Sequence, residues 1–231
     1  MMNIRPGQPD WEDRDRFVLS KGHCTVSLYP TLALRGYFDV SLLDTFRRAD
    51  GHLSGHAEMR HVPGVDMSTG SLGQGFSAAV GMALGAKLAG KALTVYAVLG
   101  DGEIQEGQIW EACMYAGAHG LDNLIAIVDS NKVQLDGTVR EVLDTGDLQA
   151  KFESFGFFTQ SIDGHDVEAI SDAVDRAKAQ KGRPFRRCED AAGAVSPDRR
   201  GHCGSCQGRD REESGLRKRS APRGFHTARF L

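Results

Sequence analysis

The sequence has no long apolar run and no complete set of cysteine pairs, and each absence removes a class of protein. No stretch approaches the roughly 18 consecutive apolar residues that a transmembrane helix needs. Residues 1–16 are polar and lack the apolar core of a secretory signal peptide. Five cysteines cannot all pair within one chain, which argues against a disulfide-stabilised secreted scaffold. We therefore expect a cytoplasmic protein with no membrane partner.

Acidic and basic residues are unevenly distributed along the chain. Residues 184–231 contain eleven basic and six acidic residues, a net charge of +5, whereas residues 1–183 carry −8. Clustered arginines attract phosphates, so a nucleic-acid-binding arm is one interpretation. The basic segment lacks interleaved aromatic residues, however, and we expect no nucleic-acid partner. We predict one domain over 1–185 and a basic tail without regular structure over 186–231.

Strand-like and helical patterns alternate in the acidic part. Residues 94–99 and 124–128 are continuous apolar runs, typical of strands that are covered on both faces. Further patterns indicate a weaker strand at 157–162 and helices at 25–35, 41–48, 72–90, 103–119 and 166–181. This alternation predicts an α/β fold, with a mainly parallel sheet and helices on both faces.

The predicted helix 72–90 combines an apolar stripe with many small residues. Its glycines, Gly81 and Gly85 among them, predict close packing against another backbone, because glycine is otherwise unfavourable within a helix. The alternative is a poorly formed helix with loop ends. The stripe consists of residues spaced four apart: Phe76, Val80, Leu84 and Leu88.

Two polar motifs follow the two strongest predicted strands. Asp101, between two glycines, follows the first strand, and Asn131 follows the second. In parallel sheets the carboxyl ends of strands form the ligand-binding edge. A carboxylate, an amide oxygen and a backbone carbonyl suit Mg²⁺, which completes its coordination with phosphate oxygens and water. The motifs favour a Mg²⁺–diphosphate site, although aspartate–glycine pairs also occur in ordinary turns.

Residues 100–137, GDGEIQEGQIWEACMYAGAHGLDNLIAIVDSNKVQLDG, resemble the thiamine-diphosphate motif of transketolases. The resemblance extends to the segments DRFVLSKGH, SGHAE, PGVDMSTGSLGQG and DGHDVEAI, and covers roughly residues 8–185. The chain looks most like the separate N-terminal subunit of transketolases that are split over two polypeptides. The segment GDGEIQEG resembles transketolases more than the related deoxyxylulose-phosphate synthases.

The resemblance implies a role for individual residues at the cofactor. Asp101 and Asn131 match side chains that bind Mg²⁺, and Val133 matches a residue that binds it through the backbone carbonyl. Gly102 matches the glycine whose N–H contacts the diphosphate. The loop that lies along the aminopyrimidine and thiazolium rings corresponds to Gly70, Ser71 and Leu72.

Two histidines and one glutamate complete the implied site. His23 matches a catalytic-site histidine on the phosphate side of the cofactor, although it could simply end a turn. His56 matches a histidine that points at the sugar substrate, but the family usually has proline where Ala57 stands. Glu106 matches a glutamate of a carboxylate network at the subunit interface. It could instead be a solvated residue that favours the start of a helix.

The resemblance also implies an activity and a partner chain. The activity is transfer of a two-carbon ketol unit between sugar phosphates, with thiamine diphosphate carrying the difficult step. The glutamate that activates the cofactor belongs to a pyrimidine-binding chain, the C-terminal subunit. We therefore expect a dimer of such pairs, and no catalysis by this chain alone. The alternative is a non-catalytic, truncated or frameshifted fragment.

Both ends depart from the family pattern. Several tens of family residues normally precede the segment that matches 9–23, so we expect truncation at the N-terminus. After Phe185 the family continues with an apolar strand, whereas this sequence becomes rich in arginine, glycine and cysteine. Such a change is typical of translation in a shifted reading frame, and we predict a frameshift near residue 186.

Overall fold

A five-stranded sheet forms the centre of the molecule. The computed structural model describes residues 2–135 and 137–180, together with the backbone of 227–230. The strands are β1 (Arg16–Leu19), β2 (Val95–Gly100), β3 (Leu124–Ser130), β4 (Val133–Gln134), β5 (Gly137–Thr138), β6 (Gln160–Asp163) and β7 (Thr227–Phe230). The order in the five-stranded sheet is β1-β2-β3-β7-β6, in which β1, β2 and β3 pair in parallel and β7 pairs antiparallel with β3 and β6. Strands β4 and β5 pair with each other as a separate hairpin.

Six α-helices accompany the sheet in the described residues. Three short 3₁₀ segments, Gly22–Cys24, Val40–Thr45 and Glu103–Gln105, occur in the loops. None of the described helices is long and apolar enough to cross a membrane. The helices are α1 (Thr25–Leu34), α2 (Gln74–Leu88), α3 (Gly107–Ala118), α4 (Val139–Leu143), α5 (Leu148–Ser154) and α6 (Val167–Lys178).

Alternation along the strands divides the core between the two faces of the sheet. Val18 and Ala97 pack with α2 and α3 on one face. Leu19 and Val98 pack with α1 on the other, where the Lys178 Nζ of α6 also lies 5.7 Å from the centroid of the Tyr96 ring. The predicted fold class, a mainly parallel sheet with helices on both faces, is confirmed.

Two predicted helices differ in detail from the structure. The predicted helix 103–119 is divided, because Glu106 adopts an extended conformation (φ −68°, ψ 125°) between a 3₁₀ turn and α3. The predicted helix 41–48 is the 3₁₀ segment Val40–Thr45.

The prediction that the glycines of α2 pack closely against another backbone is wrong for the two in the middle of the helix. A Cβ atom at Gly81 or Gly85 would meet nothing within 4 Å, so these glycines do not approach another backbone. Leu88 is 80% exposed. A four-residue spacing drifts about 40° per step around a helix, which turns the end of the predicted stripe away from the core. The buried positions instead recur every three or four residues, with adjacent pairs in the first half of the helix: Gly75, Phe76, Ala79, Val80, Ala83 and Ala86.

One strand lies in the segment for which we expect no regular structure. β7 pairs with β3 and β6 through backbone groups, which needs no apolar stripe in the sequence. Residues 186–226, and the predicted frameshift with them, lie outside the described residues.

Candidate functional site

Three parallel strands end at one edge of the sheet and deliver three polar loops there. In the register, Leu19 of β1 lies opposite Val98 of β2, and Gly100 of β2 lies opposite Asp129 of β3. The loops that follow are 20–23, 101–103 and 131–133. The structure therefore brings the two sequence motifs together at the carboxyl edge of the sheet, as the sequence predicts.

Asp101 joins the end of β2 to the loop after β3. Its side chain is buried, with 3% of the residue exposed. One carboxylate oxygen accepts a hydrogen bond from the N–H of Gly102 (2.9 Å), and the other accepts one from the N–H of Lys132 (2.6 Å). Burial raises the pKa of Asp101 above its ordinary value, since the low-dielectric surroundings disfavour the charged form. A cation at this carboxylate would offset that cost.

The loop after β3 supplies the other predicted metal ligands. Lys132 adopts a left-handed conformation (φ 63°), which folds the loop back over Asp101. The side-chain oxygen of Asn131 accepts a hydrogen bond from the N–H of Val133 (2.9 Å) and retains a second lone pair. The donor set of one carboxylate, one amide oxygen and one carbonyl fits Mg²⁺ in kind. Within the described part of the chain, no three His, Cys, Asp or Glu side chains cluster as a metal site.

Gly102 lies where a side chain would not fit comfortably. A Cβ atom there would approach the Cβ of Gln134 to 3.2 Å. The buried Nε2 of that glutamine has no hydrogen-bond partner among the described residues. An unpaired buried donor beside this glycine suits an anionic oxygen such as that of a diphosphate. The sequence does not predict a role for Gln134, which carries no signal other than its position after Asn131.

An ion pair joins the end of β1 to the end of β3. The Nζ of Lys21 lies 2.5 Å from Oδ2 of Asp129, and only 13% of the lysine side chain is exposed. The pair lies against β2, since a Cβ at Gly100 would be 3.7 Å from Cδ of Lys21. The sequence does not predict this pair, whose members are 108 positions apart.

The most highly connected side chain at this edge is Glu103, which the sequence motifs do not single out. Only 2% of the residue is exposed. Its carboxylate accepts hydrogen bonds from the hydroxyl of Ser20 (2.5 Å) and from the N–H groups of Gly73 (2.9 Å) and Gly100 (3.1 Å). One signal in the sequence could have indicated this role: Glu103 is a charged residue between the motif Gly100-Asp101-Gly102 and the apolar Ile104, which is buried in the structure.

The loop 69–73 packs against the end of β1. The hydroxyl of Thr69 donates to the carbonyl of Leu19 (2.7 Å), and its N–H donates to the carbonyl of Ala57 (3.1 Å). Gly22 has no room for a side chain, because a Cβ there would lie 2.5 Å from the carbonyl carbon of Thr69. These contacts fix the loop next to the turn that carries His23.

Of the remaining predicted site residues, two lie in contact with each other. A Cβ at Gly70 would lie 3.1 Å from Cδ2 of His56, so the imidazole ring packs on this glycine. The carbonyl of His56 accepts a hydrogen bond from the hydroxyl of Tyr29 (2.8 Å), which anchors its loop to α1. Ser71 is exposed and Leu72 is half-buried.

Three of the predicted site residues lie at the surface of the described chain: His23, His56 and Glu106. All three residues are exposed. Glu106 lies next to the loop 69–73, since its Cβ would be 3.4 Å from a Cβ at Gly73. The structure thus gathers the predicted residues into two neighbouring groups. One is formed by Asp101, Gly102 and the loop 131–133, and the other by His56, Gly70 and their neighbours.

The sequence matches the family model described as transketolase, thiamine diphosphate binding domain, over residues 1–230. It is 52% identical over 184 residues to the 6-deoxy-6-sulfo-D-fructose transketolase subunit of a Clostridium species, which covers 80% of this chain and 67% of the relative. It is 40% identical over 170 residues to an apulose-4-phosphate transketolase subunit of Phocaeicola vulgatus, covering 74% and 60%. The chain therefore spans 60 to 67% of the length of these two relatives.

Solved structures give the same result for the fold. Transketolase from Campylobacter jejuni superimposes with a TM-score of 0.72 at 41% identity, over 77% of this chain and 29% of that chain. A transketolase mutant from Pichia stipitis superimposes with a TM-score of 0.75 at 39% identity, over 79% of this chain and 29% of that chain. Since the family model spans nearly the whole sequence and the fold agrees, the chain belongs to the transketolase family, as its thiamine diphosphate binding domain.

Proposed function

We propose that this chain is the thiamine-diphosphate-binding subunit of a two-chain transketolase that transfers a two-carbon ketol unit between sugar phosphates. The observation that carries the proposal is the contact between Asp101 and the loop 131–133 at the carboxyl edge of the sheet. The match to the family's cofactor-binding domain gives that contact its chemical meaning. A division over two chains is supported by two relatives that are named as transketolase subunits.

In this proposal Mg²⁺ is held by Asp101, Asn131 and the carbonyl of Val133. The buried carboxylate supplies the negative charge, and the two neutral oxygens complete the protein's share of the coordination. The hydrogen bond from the N–H of Lys132 to Asp101 holds the loop 131–133 beside the carboxylate, which supports assigning the three oxygens to one ion.

The diphosphate is proposed to bind beside Gly102 and His23. The Gly102 N–H donates to Asp101 in the described structure, and it would turn to the diphosphate once the metal occupies that carboxylate. The unpaired Nε2 of Gln134 offers a further donor next to it. His23, on the turn after β1, would contact the phosphate side as an exposed hydrogen-bonding group.

The aromatic part of the cofactor is proposed to lie along Gly70, Ser71 and Leu72. A backbone without bulky side chains lets flat rings approach closely. The packing of His56 on Gly70 supports a role for that imidazole in orienting the sugar, since it would then lie between the cofactor loop and solvent. Hydrogen bonding to the sugar would hold it against the reactive carbon.

When bound, thiamine diphosphate supplies the electron sink that makes cleavage of the ketose carbon–carbon bond possible. The task of this chain is to fix the diphosphate end and to present the loop 70–72. The pyrimidine-binding partner would supply the activating glutamate, and Glu106 would join the contact between subunits of a dimer of such pairs. The exposure of Glu106 beside the cofactor loop supports this role.

The substrate is proposed to be an anionic ketose. One relative is named for 6-deoxy-6-sulfo-D-fructose and another for apulose-4-phosphate, so a sulfonate or a phosphate ends the sugar in each case. We propose sugar phosphates for this chain. Assays with a ketose phosphate and with 6-deoxy-6-sulfo-D-fructose would separate the two anionic groups.

The test measures cofactor binding first and turnover second. Thiamine diphosphate is titrated into the full chain by calorimetry with and without Mg²⁺, and we expect saturable binding only with the metal. Turnover of a ketose phosphate and an aldose phosphate acceptor is then expected only after a pyrimidine-binding transketolase chain is added. Absence of metal-dependent binding would favour a non-catalytic fragment, and full turnover by the chain alone would refute the two-chain proposal.

A further inference from the structure

Glu103 holds three separate loops together at the edge of the sheet. One carboxylate oxygen accepts from the Ser20 hydroxyl and the Gly73 N–H, and the other accepts from the Gly100 N–H. The partners come from segments that are far apart in sequence, with 83 positions separating Ser20 from Glu103. A single buried side chain therefore joins the ends of two strands, β1 and β2, to the residue that precedes α2.

Each of these segments leads directly to a proposed cofactor contact. Ser20 begins the turn that carries His23, and Gly73 ends the loop that contains Gly70. Gly100 precedes Asp101. Any shift of the Glu103 carboxylate would therefore be transmitted to the phosphate side, the ring side and the metal side of the site.

Close backbone approaches around this carboxylate leave the segments little freedom to find another arrangement. A Cβ at Gly75 would lie 2.7 Å from the Cα of Ser20, so the start of α2 touches the end of β1. Gly73 has a left-handed conformation (φ 85°), which aims its N–H at the carboxylate rather than along the helix. A buried carboxylate is costly unless it is fully hydrogen-bonded, and here all three donors come from the site.

Ordering of loops at the moment of binding weakens affinity, and interactions that order them beforehand strengthen it. We propose, on the basis of the proposed function, that Glu103 is a positioning residue: it organises the cofactor-binding loops before thiamine diphosphate binds. It touches neither the cofactor nor the substrate in this role. It acts through Ser20, Gly73 and Gly100.

The principal test replaces the carboxylate with an amide of the same shape. Glu103→Gln turns one acceptor into an NH₂ group that faces a hydrogen-bond donor, and we expect binding of thiamine diphosphate with Mg²⁺ to weaken by about 10-fold. In the cofactor-free chain, amide exchange at Gly73 and Gly100 should become faster, while the amides of β3 keep their rates. Glu111→Gln, on the exposed side of α3, is the matched control and should change neither quantity.

A second variant covers the case in which Glu103→Gln does not fold. Ser20→Ala removes one donor and leaves the two backbone partners, so we expect a loss of about 3-fold in affinity. If both single variants fold, the double variant should lose less than the product of the two effects, because both act on one network.

The outcomes separate this inference from the function on which it rests. If the unmodified chain fails to bind thiamine diphosphate with Mg²⁺, the proposed function fails. If the unmodified chain binds, and the folded variants bind equally well with unchanged exchange at Gly73, the inference is overturned. A lower unfolding temperature with unchanged affinity would likewise assign Glu103 a structural role alone.

Discussion

The inner and outer sides of the candidate site differ in how their side chains are held. On the inner side, defined by Ser20, Asp101 and Glu103, the residues are buried and their oxygens are hydrogen-bonded within the chain. On the outer side, defined by His23, His56 and Glu106, the residues are exposed. We infer that the side chains around Asp101 and Glu103 are held in place before any ligand binds, whereas those of the outer side would gain contacts only from a ligand or from another chain.

The largest effect is expected from the inner side, at Asp101. Asp101→Asn removes the buried charge and places an NH₂ group against the N–H of Gly102 or Lys132. We expect Mg²⁺-dependent binding of thiamine diphosphate to weaken by at least about 100-fold, equivalent to about 2.7 kcal/mol. Calorimetric titration measures this. Asp172→Asn, at an exposed position of α6, should bind normally, and equal affinity of both variants would contradict the proposed metal site.

Close packing on the inner side should make even a methyl group unfavourable. Gly75→Ala introduces a Cβ at 2.7 Å from the Cα of Ser20 and 2.9 Å from Cγ2 of Thr69, so the backbones must separate. We expect the free energy of unfolding to fall by about 1–3 kcal/mol, measured by urea denaturation. An unchanged midpoint would show that α2 and β1 can move apart freely, and that the inner side is less rigid than its contacts indicate.

The Lys21–Asp129 ion pair lies at the boundary between the two sides. The side chain of Asp129 is 36% exposed, so water can hydrate this carboxylate when Lys21 is replaced. A fully buried carboxylate could not be hydrated in this way. Lys21→Met keeps most of the length of the side chain but removes its charge, and we expect a loss of about 1 kcal/mol in the free energy of unfolding. Urea denaturation measures this, with Arg48→Met at an exposed position as the control. A loss of about 3 kcal/mol or more would instead assign Lys21 to the rigid inner side.

The sequence predicts best the parts of this site that depend on local pattern. The apolar runs that become β2 and β3 are long enough to be recognised, and the polar residues at their ends mark the edge of the sheet. Asp101 and Asn131 therefore emerge from the sequence alone. By contrast, β1 has only four residues between polar neighbours and gives no comparable signal.

Contacts between distant segments explain what the sequence does not predict. Glu103 and Ser20 are 83 positions apart, and Lys21 and Asp129 are 108 apart, so neither pair has a local spacing that could reveal it. The division of the helix at Glu106 lies next to such contacts. Glu103, three residues earlier, is bonded to groups 30 and 83 positions away, and the local pattern, which favours a continuous helix, does not reveal them.

The smallest effect is expected from Gly81→Ala, the same change as Gly75→Ala but six residues further along α2. A Cβ at Gly81 meets nothing within 4 Å, and the residue is exposed. Gly81→Ala therefore adds no clash and removes the entropic cost of a helical glycine, which should stabilise the chain by about 0.5–1 kcal/mol. Urea denaturation of both variants compares a packed with an open position of one helix, because alanine should destabilise where α2 meets the inner side and stabilise where α2 faces outward. If Gly81→Ala also destabilised the chain, a surface that is exposed in the described residues would be in contact with another part of the protein, and the contrast between the packed inner side and the open surface would have to be redrawn.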